Sequence, residues 1–147
     1  MPSKRPRRYA EGTTVEPEKT RLDLQKLLKS HGADGFMFGE EGARSFMAFR
    51  FAGRAVRYDV PFPTEREGYG STKRAEAEYR RRWRSLLLRV KAKLEAVASE
   101  DTTFEEEFFA DLVVTSENGG PRRLYDVVKG QLDAGTMPRL LPGGEDA

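Results

Sequence analysis

Apolar positions recur along this chain with two different periods. In "KTRLDLQKLLKSHG", Leu24, Leu27, Leu28 and His31 follow the i, i+3, i+4, i+7 spacing of one helix face. Pro17 suits the first turn of that helix, and Gly32 suits its end. The next segment, "GFMFGEEGARSFMAFRFAGRAVRYDVPFP", alternates instead. It predicts a short strand at 36–38 and a hairpin over about 44–60 that turns at Ala52-Gly53. That turn sets Phe49 opposite Val56 and Met47 opposite Tyr58, with Phe51 and Val60 on the same, core-facing side. Phe46, Arg50, Arg57 and Asp59 fall on the outer side, and Pro61 and Pro63 end the pairing.

The helical period returns over Thr72 to Ala98. At 100° per residue, Tyr79, Trp83, Leu86, Leu87, Val90, Leu94 and Val97 form one stripe about 100° wide. The single tryptophan is therefore expected in the core rather than on a base-stacking surface. "DTTFEEEF" predicts a further helix with Thr103 and Glu106 as a capping box and Phe104, Phe108 and Leu112 as its buried stripe. "TSENGGPRR" reads as a turn. A last helix, "RRLYDVVKGQLDA", is expected to bury Leu124, Val127, Val128 and Leu132, followed by an apolar clasp, "GTMPRLLPGG". The order is α-β-β-β-α-α-α. This is an α+β fold with a small antiparallel sheet, hairpin plus short strand, packed on one face by helices. Residues 1–15 read as a flexible basic tail, 16–142 as a single domain and 143–147 as a disordered end.

Charge changes this picture more than composition does. The net charge is only +2, but its parts are segregated. Arg5, Arg7 and Arg8 stand with Lys4 in a tail start without acids, residues 71–93 are strongly basic, and residues 100–111 are acidic. On the long helix, Lys73, Arg80, Arg84 and Lys91 fall on one flank of the apolar stripe, a line about 27 Å long. Arg82, Arg89 and Lys93 take the other flank. Such cations can simply carry their stems along the core edge and reach water. They can also follow phosphates, giving affinity without sequence readout. Leu88 lies on the back of the helix and is the expected contact if a second copy or a partner covers that side.

Several chemistries lose their residues. The chain has no cysteine, which removes disulfides and thiolate metal sites, and its single histidine argues against a histidine-rich zinc site or a Ser-His-Asp triad. His31, at a helix end on the apolar face, reads as a capping or core residue. Glu105, Glu106 and Glu107 point to different faces and suit the positive end of a helix dipole, with an acidic contact surface as the alternative. "FGEEG" and "REGYGST" lack the context of phosphate-binding loops. No cofactor is expected. Asp59 with Glu76 and Glu78 is the one grouping compatible with a metal-dependent nuclease. Phe46 with Arg50 and Arg57 combines an aromatic with cations, as sheets that bind single strands do. No apolar run reaches the ~20 residues of a membrane span, and the basic N-terminus lacks the apolar region of a secretory signal.

"KAKLEAV", "TTFEEEF" and "MPRLLP", within "RRWRSLLLRVKAKLEAVASEDTTFEEEFFADLVV" and "GTMPRLLPG", resemble a family of small proteins encoded in bacteriophage and prophage genomes, over roughly residues 19–142. The resemblance implies a phage accessory protein in the host bacterial cytoplasm and assigns no catalytic residues. The functional expectation is a non-enzymatic protein that binds nucleic acid through Lys73, Arg80, Arg84, Lys91, the tail arginines, and Arg50 and Arg57. The alternative is a protein-binding inhibitor of a host defence or replication complex.

Overall fold

The computed structural model describes residues 5–117 and 119–135. Helix α1 spans Pro17–Ser30, and strands β1, β2 and β3 span Gly35–Glu41, Arg44–Phe51 and Arg54–Pro61. A short 3-10 turn at Glu65–Glu67 leads into α2, Thr72–Ala98. The one-turn helix α3, Phe104–Glu107, and a 3-10 turn at Phe109–Asp111 precede strands β4, Val113–Ser116, and β5, Gly120–Arg123. Helix α4 covers Leu124–Asp133.

The main sheet is antiparallel in the order β1-β2-β3. Phe49 faces Val56 and Met47 faces Tyr58, the register read from the alternation. A one-residue slip would have turned Met47, Phe49, Val56, Tyr58 and Val60 to water, and all five are buried. The turn places both Ala52 (φ 49°) and Gly53 (φ 78°) in the left-handed region, as a type I′ hairpin requires. Alanine is strained there. Ala52→Asn is expected to stabilise the fold by about 0.5–1 kcal/mol in urea unfolding.

Leu24 and Leu28 of α1 and Trp83, Leu86, Leu87, Val90 and Leu94 of α2 join the inner sheet face in one apolar cluster. His31 closes α1, its backbone N–H donating to the Leu27 and Leu28 carbonyls. Phe104 and Phe108 plug one end, with Phe104 stacked on Phe51 at 4.5 Å between ring centroids and Phe108 edge-on to Phe49 at 5.7 Å. The helices thus cover one face of the sheet.

Three details differ from the sequence reading. The helix expected after Thr103 is a single turn. Thr103 does cap it, accepting from the Glu106 N–H at 3.2 Å, but Leu112 leaves the helical stripe and bridges to Val56. The β-branched run Val113-Val114-Thr115 then prefers extended backbone. The expected turn is accordingly flanked by two short strands, β4 and β5. Pro121 is tolerated because this ribbon has only edges. Finally, α4 buries none of its residues. Val127 is 41% and Leu132 63% exposed, because α4 packs against the β4–β5 ribbon rather than the main core. The "MPRLLP" clasp and the 143–147 end lie outside the described residues.

A candidate arginine-lined nucleic-acid interface

The site begins with a buried acid on a basic helix. Glu78 is 3% exposed although it lies in the most cationic part of the chain. An ionised carboxylate survives burial only when its oxygens are filled by charged or polar donors. Here Arg81 donates to it from the next turn, the Tyr69 hydroxyl donates at 3.0 Å, and Arg8 reaches it at 3.2 Å from seventy residues away. Arg82 stands 3.9 Å off. Burial pushes the Glu78 carboxyl up. The Arg81 and Tyr69 hydrogen bonds and the Arg81 and Arg8 charges outweigh that and hold it below the usual range.

This carboxylate anchors the N-terminal arm. Residues 5–15, read as a flexible tail, turn back on themselves. The Glu11 N–H donates to the Arg8 carbonyl, and Arg7 donates to the Glu11 carbonyl. Arg81 holds the arm a second time, donating to the Tyr9 carbonyl at 3.1 Å. Between arm and helix lies a cleft of about 490 Å³. Arg5, Arg8, Arg74 and Arg81 line it against Glu11 and Glu78, with Tyr69 in the wall. The Arg74 and Arg82 guanidiniums lie 5.8 and 5.7 Å from the Tyr69 ring centroid. Arg74, in the cleft lining, and Lys73, next to it in the chain, are both exposed, and neither enters an ion pair among the described residues.

The line of four cations does not stand as one surface. Arg80 is half-buried 3.8 Å from Glu16, and Arg84 pairs with Asp23 at 3.0 Å, both acids belonging to the α1 side. Helix α1 crosses that flank and takes the middle of the line for itself. Lys73 and Lys91 stay exposed at its two ends. The sheet grouping is also occupied. Arg57 lies 4.2 Å over the Phe46 ring and pairs with Asp59 and Glu41, while Arg50 pairs with Asp34. Phe46 therefore offers no free face for a base on the Arg57 side. Leu88 is half-buried, outside the apolar cluster.

The three carboxylates of the nuclease grouping do not converge. Asp59 is held by Arg44 and Arg57 on the outer sheet face, Glu78 by the arm, and Glu76 is exposed. Of the 100–111 acids, Glu105 pairs with Arg54, Glu107 with Lys93 and Asp111 with Arg123. None of these three pairs draws on the cleft.

Arg74, Arg81 and Tyr69 were not singled out from the sequence, and Glu78 was read only as part of the nuclease grouping. The signal was present: Arg74, Glu78 and Arg81 are spaced i, i+4, i+7 and share one helix face. Removing the anchor should release the arm. Glu78→Ala is expected to cost roughly 2 kcal/mol, since Arg8 and Arg81 keep partial access to water. Amide exchange of residues 8–12 should rise at the same time. The folded carboxyl is held below its unfolded value, so its contribution is complete above about pH 5. It fades as pH falls through the lowered folded value, and acid should free the arm as the mutation does.

Among the described residues no helix is long and apolar enough to cross a membrane. Comparison with protein-family models, with curated proteins and with solved structures finds no match to this chain.

Proposed function

We propose that this protein binds nucleic acid without reading its sequence, through the cleft between the N-terminal arm and the first turns of α2. The observation that carries this reading is charge without compensation. Four arginines line the cleft against two carboxylates; Arg74 is one of the four and, with the exposed Lys73 next to it in the chain, enters no ion pair among the described residues. Guanidinium forks bind phosphate oxygens in pairs, and a cationic groove follows a phosphate backbone regardless of base. Lys91 is exposed at the far end of the α2 line, apart from the cleft, and Arg80 and Arg84 serve the helix pair. The sequence resemblance supplies the setting: a phage accessory protein at work in a bacterial host.

Fluorescence anisotropy with labelled single-stranded and duplex oligonucleotides near ~50 mM salt tests it. With about three to five phosphate contacts, duplex affinity should fall roughly 40- to 500-fold between 50 and 200 mM salt. No binding at the lower salt removes the proposal.

A second reading rests on α4. Tyr125, Val127 and Leu132 leave an apolar helix face in water, which suits a protein partner such as a host defence or replication complex. A pull-down that survives nuclease treatment and is lost in Val127→Asp/Leu132→Asp supports that reading over the first.

A further inference from the structure

We infer that β1 is the interface of a two-fold dimer, in which two copies join their three-stranded sheets edge to edge through residues 35–41. The inference begins with hydrogen-bond parity. Glu41 and Arg44 close the two-residue turn Gly42-Ala43, so odd-numbered residues of β1 bond to β2. Phe36, Phe38 and Glu40 then direct their N–H and C=O groups to the other side. Among the described residues nothing pairs with that side. Seven residues of edge strand are unprotected by proline or by a bulge within the strand, the condition under which strands recruit another strand.

Parity puts the axis on a residue, and the side chains select which one. A two-fold axis through Phe38 sets Phe38 opposite itself and Phe36 opposite Glu40. This uses all seven residues and forms about six backbone hydrogen bonds. The outer-face residues then pair large with small, Met37 opposite Gly39 and Glu41 opposite Gly35.

Two side chains of β2 already lean over those glycines toward the open edge. The Phe46 ring lies so close to Gly39 that a Cβ there would sit 2.8 Å from it. The Arg50 guanidinium covers Gly35, 3.5 Å from where a Cβ would be. Across the axis, Met37 of the second copy would meet the Phe46 ring edge, a favoured sulfur–aromatic contact. Glu41 of the second copy would meet Arg50, exchanging its exposed link to Arg57, which keeps Asp59. Met37 is 58% exposed in the single chain, and this arrangement gives it a partner. Neither complement arises if the axis moves to Met37 or Gly39. The occupant is therefore a second copy rather than an unrelated strand.

Seven residues a side is a small interface, so dissociation is expected at about 1–100 µM. Sedimentation of the full chain from about 1 to 500 µM should show a monomer–dimer equilibrium in that range. Glu41→Arg and Arg50→Glu should each weaken the dimer at least ~10-fold, and the double variant should restore it. Met37→Lys, at a position that needs no burial for folding, should weaken it as well. A wild-type chain that stays monomeric at ~500 µM overturns the inference. So does a dimer indifferent to all three single changes, or one that the double charge swap fails to restore.

Discussion

Reversing Lys73 and Arg74 to glutamate should weaken nucleic-acid binding about 100-fold near 50 mM salt, with no loss of stability. The size follows from two charge-assisted contacts at about 1.5 kcal/mol each, where every 1.4 kcal/mol is tenfold in affinity. Stability is spared because both side chains are exposed and neither holds an ion pair among the described residues. Arg74 gives up only its exposed contact with the Tyr69 ring, and the bond that its backbone N–H donates to the Ser71 cap survives the change. Parallel titrations by anisotropy, with thermal melts of both proteins, check the two halves together. A folded variant that binds as well as the wild type would place the interface elsewhere.

Trp83→Ala should have the largest effect on the fold, about 3–5 kcal/mol in denaturant unfolding. Trp83, on α2, is fully buried in the apolar cluster that α1 and α2 form with the inner sheet face. Its ring lies 6.2 Å from Phe38 and 6.5 Å from Tyr79, and the Arg21 guanidinium sits 4.7 Å from its centroid. The indole N–H finds no acceptor among the described residues. Trp83→Phe should therefore be much milder, about 1–2 kcal/mol, because it removes apolar area and an unmet donor together. Equal losses in the two variants would mean that the indole nitrogen is bonded after all.

How much of this was legible in the sequence depended on whether a neighbour in the chain or a distant element decided the outcome. The hairpin register was readable because alternation and a two-residue turn leave one pairing. The α2 stripe was readable because Trp83, Leu86, Val90 and Leu94 repeat at the helical period. The end of α3 was not, since Leu112 continues the helical spacing but bridges to Val56, more than fifty residues back. The α4 stripe was correctly spaced and wrongly placed, because periodicity says which face is apolar but not what covers it.

The site followed the same division. Arg5 and Arg8 were visible as a basic arm, and Lys73 as one end of a basic line. Glu78 read as one of three scattered nuclease carboxylates, yet it is the anchor, through a contact with Arg8 that sequence spacing cannot reveal. Arg80 and Arg84 looked equivalent to Lys73 and Lys91 until α1 brought Glu16 and Asp23 against them. Sequence spacing placed the cations, and tertiary pairing decided which of them are free.

That distinction is the central claim, and the salt dependence of binding tests it directly. Duplex affinity should be measured from about 50 to 200 mM salt for the wild type, Lys73→Glu/Arg74→Glu and Arg80→Gln/Arg84→Gln. The account predicts that the first variant lowers the slope of log affinity against log salt by about 2, the loss of two phosphate contacts. The second should leave the slope unchanged, because its arginines face Glu16 and Asp23 rather than phosphate. A slope that falls with Arg80 and Arg84 and not with Lys73 and Arg74 would contradict it.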